Sequence, residues 1–273
     1  MAAAASSRRG IAAFNVITLE HAEAIVSGAE SAGRPVILQI SQNAVRWHGG
    51  RIRPIALAAA AVAEAASVPV ALHLDHVDDV VLLREAAAAG FSSAMFDAGA
   101  LPHQDNIERT RAAAEWAHGA GLWLEGELGY VGGKPDEPAS AHGEGVRTDP
   151  DEATHYVQAT GVDALAVAVG SAHAMTSRSA TLDSDLIARL ARAVPVPLVL
   201  HGSSGVPDDE LRRAVATGIV KVNVGTALNI AMTRAVRTTL DAAPALVDPR
   251  QYLGPARDAV ARTVRDLIEV ISG

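Results

Sequence analysis

The feature that most limits the fold of this chain is a regular alternation of short apolar runs with longer segments of helical periodicity. The apolar runs are rich in β-branched residues, as in parallel strands that are covered on both faces. The predicted strands are 10–16, 36–41, 70–76, 92–97, 121–127, 164–169, 196–201 and 219–224. The predicted helices are 19–32, 54–66, 77–89, 104–118, 150–160, 184–193, 207–217, 226–240 and 255–271.

The number of strand–helix units predicts the fold class. About eight units in 273 residues fit a (β/α)8 TIM barrel, an α/β fold of ~250 residues. A doubly wound open sheet is the alternative, but it normally carries a glycine-rich turn after the first strand, and none follows Val16. No linker or charge block divides the sequence. We therefore predict a single domain over 1–273, which ends in the C-terminal helix 255–271.

One connection is too long for an ordinary βα loop. It runs over 129–149, is rich in glycine and proline, and follows the fifth predicted strand. It is either a surface excursion or a lid hinged on glycines. We favour a lid, because this loop leaves the barrel on the rim where the charged strand ends collect.

Composition limits the classes of partner. Without cysteine the chain has no disulfide or thiolate metal site, which favours a reducing cytoplasm. A net charge of −8 argues against nucleic-acid binding. No apolar run has the length of a transmembrane span, so we expect no membrane partner.

Polar residues follow most of the predicted strands, and in a barrel these strand ends surround one mouth. They are Asp75, His76, Asp97, Glu127, His173, His201 and Asn223. His76, His173 and His201 would form a facial set for a divalent metal, with positions left open for substrate or water. Any one of them could be a buried, hydrogen-bonded histidine, but three at convergent strand ends favour the metal.

The acidic residues at the same mouth have several possible roles. Asp75 is a metal ligand, a general base, or simply the N-cap of the next helix. Adjacent strand residues point to opposite faces, so Asp75 and His76 serve one site only if the chain turns there. Asp97 and Glu127 would orient ligands, hold a secondary metal or form ordinary ion pairs.

Two short motifs predict a phosphate site. His201-Gly202-Ser203-Ser204-Gly205 and Asn223-Val224-Gly225-Thr226 each precede a predicted helix, after the seventh and eighth strands. Free amides at helix starts in these positions are the commonest phosphate site of barrel enzymes. Gly-Ser-Ser-Gly alone could be a tight turn, so the paired position carries the prediction.

Together these segments resemble the class II, metal-dependent fructose-bisphosphate aldolases of the shorter type, a group that includes tagatose-bisphosphate aldolases. The resemblance covers nearly the whole chain. It rests on segments 13–16, 72–76, 125–129 with Gly132-Gly133, 163–170, 200–204, 221–226 and 253–258.

The resemblance implies a cytoplasmic lyase of glycolysis that cleaves fructose 1,6-bisphosphate reversibly into dihydroxyacetone phosphate and glyceraldehyde 3-phosphate. Asp75 would be the acid/base that acts on the C4 hydroxyl. Zinc or another divalent cation would bind His76, His173 and His201, with a second metal position at Asp97 and Glu127.

The resemblance also implies how the substrate and the partner subunit are placed. Gly202, Ser203, Asn223 and Thr226 would hold one phosphate, with a monovalent cation such as Na⁺ or K⁺ nearby. Arg257 would reach the second phosphate, usually from a neighbouring subunit of a homodimer or homotetramer. The proton carrier of the lid would be Asp136, Glu137 or Glu144.

Three alternatives stay open on the sequence. Tagatose 1,6-bisphosphate or a related ketose phosphate differs in stereochemistry that a list of side chains does not fix. A non-catalytic sugar-phosphate-binding barrel is disfavoured, because it has no need for Asp75. A Schiff base would use Lys134 or Lys221, the only lysines. Because Lys134 lies in a loop and Lys221 has no evident partner in the sequence, the metal route is favoured.

Overall fold

A closed barrel forms the centre of the protein. The computed structural model describes residues 9–128, 147–172 and 176–273. Its described part contains eight parallel strands, each paired with its neighbour in sequence, and β1 pairs with β8 to close the barrel. The strands are β1 Ile11–Asn15, β2 Val36–Ser41, β3 Val70–Val77, β4 Ser93–Phe96, β5 Trp123–Leu128, β6 Ala164–Val167, β7 Leu198–Leu200 and β8 Ile219–Val224. The predicted (β/α)8 barrel is confirmed.

Helices surround the barrel. They are α1 Leu19–Ala32, α2 Gln42–Trp47, α3 Ile52–Glu64, α4 Val80–Glu85, α5 His103–Gly119, α6 Pro150–Thr160, α7 Ser184–Ala193, α8 Asp208–Thr217, α9 Thr226–Ala242 and α10 Pro249–Ser272. Short 3₁₀ turns lie at Ala87–Ala89 and Ser203–Gly205. None of these helices is both long and apolar enough to cross a lipid bilayer.

Local signals explain why several helix bounds match the prediction. Helix α1 ends at Gly33, whose φ of 61° is the left-handed conformation that glycine adopts freely at a helix C-terminus. Helix α6 begins after Asp149, whose carboxylate accepts the first free amides, and Pro150 occupies its first position. The carboxylate of Asp183 caps α7 in the same way.

The structure differs from the prediction most clearly at three helices. Helix α2 lies between the predicted strand 36–41 and the predicted helix 54–66, where no helix was predicted, and the Ser41 hydroxyl accepts the Ala44 amide. The predicted helix 77–89 is a short helix, α4, followed by a 3₁₀ turn. The C-terminal helix begins at Pro249 rather than residue 255, and Pro255 lies inside it.

The strand pleat makes the barrel interior unusually polar. Residues two apart on a strand share a face. The pairs His73 and Asp75, Glu125 and Glu127, and Lys221 and Asn223 are buried on β3, β5 and β8. Strand registers place Gln39 beside His73 and Ser41 beside Asp75. The first member of each pair lies closer to the N-terminal end of the barrel, and the second lies at the C-terminal mouth.

Candidate active site and metal centre

A cavity of about 930 Å³ opens at the C-terminal mouth of the barrel. It collects predicted site residues from five separate segments of the chain. Those that line it are Asp75, His76, Asp97, Glu127, Gly202, Ser203, Ser204, Asn223, Gly225 and Thr226. His201 is fully buried next to this cavity, with its ring centroid 4.8 Å from that of His76.

A distortion of β3 brings Asp75 and His76 to the same mouth. Pairing with β4 shifts register between Leu74 and Val77, which is a β-bulge. Within it His76 has a φ of 48°, and among the described residues it is the one non-glycine residue with positive φ. The sequence analysis required the chain to turn at Asp75 if Asp75 and His76 were to share a site. Strand β3 continues to Val77, and the bulge provides this turn within the strand.

The N-cap interpretation of Asp75 is wrong. Asp79 caps helix α4, and its carboxylate accepts the Val81 amide. Asp75 is only 2% exposed, and its Oδ1 has no hydrogen-bond partner among the described residues. A buried carboxylate oxygen in this condition is costly unless a ligand or cation meets it.

Asp75, His76 and His201 offer ligand atoms that all lie within 4.8 Å of one another. The far side of each imidazole is held by a carboxylate, as is usual for metal-binding histidines. His76 Nδ1 is 2.8 Å from Asp97 Oδ2, and His201 Nε2 is 2.9 Å from Glu125 Oε1. Nε2 of His76 and Nδ1 of His201 are the ring nitrogens opposite these contacts, and Glu127 Oε2 lies 3.5 Å from the latter.

The charges of the cluster also fit a cation. Burial alone would lower the pKa of His76, but the charge of Asp75 and the hydrogen bond that His76 donates to Asp97 outweigh burial and raise this pKa to about 10. Burial raises the pKa of the Asp75 carboxyl, against the opposing charges of His76 and Lys221. The carboxylates that raise this pKa would also favour a divalent cation at the same point.

Glu127 and Asp97 lie around this cluster in different ways. Glu127 Oε2 is 3.5 Å from His201 Nδ1, on the side of the ring that faces the cluster. Asp97 contacts His76 through one oxygen, while the other accepts the Gly99 amide. The geometry suits a ligand-orienting role for Asp97, and it places Glu127 where it could contact a cation directly.

The opposite wall of the cavity has the features of an anion site. Gly202 has a φ of 67° and begins the 3₁₀ turn Ser203–Gly205. The Ser204 hydroxyl accepts the Ala227 amide in the first turn of α9, and so joins the two predicted motifs. Both side-chain amide atoms of Asn223 are buried without a partner among the described residues. Such an orphaned amide beside a helix N-terminus points to a polar ligand.

Some predicted residues are not placed at this site. His173 and residues 129–146 of the predicted lid, including Asp136, Glu137 and Glu144, lie outside the described residues, so these predictions stay predictions. Arg257 does not line the cavity. Its guanidinium pairs with Glu23 of α1 at 2.7 Å, which raises the pKa of Arg257 above its usual value.

The structure corrects the sequence interpretation of Lys221. Lys221 is 2% exposed and its Nζ donates to Glu125 Oε2 at 2.7 Å and to His73 Nε2 at 3.3 Å, so it has partners on two strands. Burial and the nearby Lys221 charge lower the pKa of His73 well below its usual value. His73 is buried in the barrel interior, and the Ser93 hydroxyl contacts its Nδ1.

Glu125, Asn15 and Gln39 are site residues that the sequence analysis missed. Asn15 and Gln39 line the cavity and are joined by a 2.8 Å hydrogen bond. A signal for Glu125 was available, because it lies two residues before Glu127 on β5 and must share its face.

Comparison with known proteins identifies the family. The family model described as "Fructose-bisphosphate aldolase class-II" matches residues 1–273. The chain belongs to the class-II fructose-bisphosphate aldolase family. Family members are metal-dependent aldehyde-lyases, and this chain is such an enzyme.

Named relatives of this family are similar over most of their length. The chain is 40% identical to a probable fructose-bisphosphate aldolase of Bacillus subtilis (strain 168), over 92% of this chain and 88% of that protein. It is 39% identical to a fructose-bisphosphate aldolase of Geobacillus stearothermophilus, over 92% and 87%. The crystal structure of the YdjI aldolase from Escherichia coli K12 superposes with a TM-score of 0.85 at 32% identity, covering 99% of this chain and 94% of that one.

Proposed function

We propose that this enzyme cleaves fructose 1,6-bisphosphate reversibly into dihydroxyacetone phosphate and glyceraldehyde 3-phosphate. The observation that carries the proposal is the cluster of Asp75, His76 and His201, whose ligand atoms lie within 4.8 Å of one another at a cavity that Gly202, Ser203 and Asn223 also line. This pairing of a cation site with a phosphate site suits a substrate that carries phosphate and develops negative charge on carbon.

The proposed metal ligands are His76, His201 and His173, with zinc or another divalent ion as the metal. Such an ion, when bound, stabilises the negative charge that develops on the three-carbon ketose phosphate during cleavage. Asp97 and Glu125 orient the two described imidazoles through the contacts given above. Glu127, with Asp97, is the proposed second metal position.

Asp75 is the proposed general base. In the cleavage direction its carboxylate takes the proton of the C4 hydroxyl as the C3–C4 bond breaks, and it returns this proton in condensation. Its Oδ1 has no hydrogen-bond partner among the described residues, which supports the role. Burial raises the pKa of the Asp75 carboxyl, which makes its carboxylate a stronger base.

The proposed phosphate contacts are the amides and hydroxyls of Gly202, Ser203, Ser204, Gly225 and Thr226, with Asn223 reaching the ketose end. Small residues let the phosphate approach the backbone closely, and the N-terminus of α9 favours its negative charge. A monovalent cation beside this wall is part of the proposal. Arg257 is proposed to bind the second phosphate of the substrate that lies in the active site of a neighbouring subunit, in a homodimer or homotetramer.

The test is a coupled assay of triose phosphate release. We expect turnover of fructose 1,6-bisphosphate, complete loss after dialysis against a chelator, and recovery on addition of zinc or another divalent ion. Full activity after chelation would contradict the metal role. Faster release from tagatose 1,6-bisphosphate, measured side by side, would replace the proposed substrate with its C4 epimer.

A further inference from the structure

A buried ion pair lies directly beneath the metal cluster. Lys221 of β8 and Glu125 of β5 face each other across the barrel interior, 2% and 3% exposed, with Nζ and Oε2 2.7 Å apart. Neither residue lines the proposed phosphate wall, which consists of residues 202–204 and 223–226. A buried ion pair is weak evidence for stability, so its place in this barrel calls for another explanation.

The carboxylate of Glu125 bridges this ion pair to the metal cluster. While Oε2 accepts from Lys221, Oε1 lies 2.9 Å from His201 Nε2. Since a carboxylate accepts hydrogen bonds, Nε2 of His201 is the nitrogen that donates to Glu125, and Nδ1 is the nitrogen that would ligate a metal. The orientation of Glu125 therefore fixes both the tautomer and the ring position of His201.

We propose that Lys221 is a positioning residue of the metal centre, which acts through Glu125 on His201. The inference rests on the proposed function, because it takes His201 as a metal ligand. Lys221 holds one oxygen of Glu125 so that the other stays aimed at His201. Without the ammonium, Glu125 would be a buried carboxylate with no counter-charge, and it would move towards the nearest remaining cation or donor.

A second contact, with His73, fixes the position of Lys221. Its Nζ lies 3.3 Å from His73 Nε2, and His73 Nδ1 lies 2.9 Å from the Ser93 hydroxyl. His73 lies on β3 and Ser93 on β4, and neither strand is adjacent to β8 in the barrel. Through His73 and Glu125, Lys221 links β3, β5 and β8 to the orientation of the His201 imidazole. A shorter or a neutral side chain does not fill this role.

The N-terminal mouth gives experimental access to this residue. A second cavity, of about 430 Å³, opens there, and its lining includes Lys221, Glu125 and His73. Truncation of the lysine side chain would extend this cavity towards the Glu125 carboxylate. A small alkylammonium ion of the size of the deleted atoms could then replace the missing charge.

The first test measures zinc affinity in Lys221→Met, Glu125→Gln and the double variant, by competition with a chromophoric chelator. We expect Lys221→Met to bind zinc roughly 10–100-fold more weakly, the usual loss when a group supporting a metal ligand is removed. Activity should return at saturating zinc. The double variant should bind zinc more tightly than Lys221→Met alone, because a neutral amide at position 125 needs no counter-charge.

Glu210→Gln is the matched control. Glu210 is also a buried glutamate, which accepts the Leu182 amide and pairs with Arg213, away from the cluster. This substitution should lower stability and leave zinc affinity unchanged. Unchanged affinity in Lys221→Met, or strictly additive losses in the double variant, would contradict the inference. Failure of the unmodified enzyme to bind zinc would instead contradict the proposed function.

The second test is chemical rescue of Lys221→Ala by n-propylammonium, which replaces the three methylenes and the ammonium that alanine lacks. Zinc affinity should rise with amine concentration in this variant and should not respond in Glu125→Gln. Absence of rescue in a folded Lys221→Ala protein contradicts the inference. If Lys221→Ala does not fold, the result with Lys221→Met decides.

Discussion

Both mouths of this barrel contain buried polar side chains, but these side chains differ in whether their polar atoms have hydrogen-bond partners. At the C-terminal mouth, Asp75 and Asn223 keep polar atoms without partners among the described residues, beside a cavity of about 930 Å³. At the N-terminal mouth, Lys221 and His73 are bonded to protein groups, and the cavity of about 430 Å³ has a largely apolar rim.

The difference shows what separates a reaction site from structural support. A buried polar atom without a partner costs free energy, so it persists where a ligand or reaction uses it. A fully bonded group in the same interior holds its neighbours in place. The strand pleat produces both conditions from residues only two positions apart, such as Lys221 and Asn223.

The largest expected effect separates Asp75, whose Oδ1 has no hydrogen-bond partner among the described residues, from an acid that is hydrogen-bonded to the backbone. Asp75→Asn should keep the fold and zinc binding but lower kcat by at least ~100-fold, because the amide cannot take the C4 proton. Asp163→Asn is the matched change at the other end of the barrel, where Asp163 accepts the Leu124 amide and contacts His118.

We expect Asp163→Asn to lower the melting temperature and to leave kcat within about 2-fold, since it is remote from the cavity. Steady-state assays at saturating zinc measure both variants. A kcat of Asp75→Asn close to that of the unmodified enzyme would remove Asp75 from the mechanism and weaken the contrast between the mouths.

An intermediate effect compares two crowded glycines. Gly202 has a φ of 67°, and a Cβ there would lie 2.4 Å from the Ala172 carbonyl oxygen. Gly218 has a φ of 147°, and its Cβ would lie 2.4 Å from the Ala191 Cβ. Both alanine variants should lower the free energy of unfolding by about 1–3 kcal/mol in denaturant titrations.

Only Gly202→Ala should also raise KM, because Gly202 lines the C-terminal cavity and Gly218 does not. Gly254→Ala is the control for the substitution itself, since nothing lies within 4 Å of a Cβ in that part of α10. An unchanged KM in Gly202→Ala would argue against the proposed phosphate wall.

The smallest expected effect is at the rim of the N-terminal mouth. Trp123 is 44% exposed and lines the cavity there. Trp123→Ala should leave kcat and KM within about 2-fold, because the side chain contacts neither the cluster nor the phosphate wall. A large loss of kcat would mean that the N-terminal mouth takes part in the reaction.

The bounds of β2, β8, α1, α6 and α7 were predicted to the residue, because apolar periodicity, an acidic cap or a terminal glycine marks them locally. Helix α2 was missed, because its sequence is polar and short. The start of α10 at Pro249 was missed too, because proline inside a helix normally argues for a boundary.

The sequence by itself determined the strand–helix alternation, the barrel and the groups that end its strands, because these follow from local patterns of burial and periodicity. Only the tertiary structure decided that a bulge turns His76 beside Asp75, and that Lys221 reaches Glu125 and, through it, His201. Those contacts join residues 76 and 96 positions apart in sequence. Closure of the barrel sets such distances, and no local pattern along the chain records them.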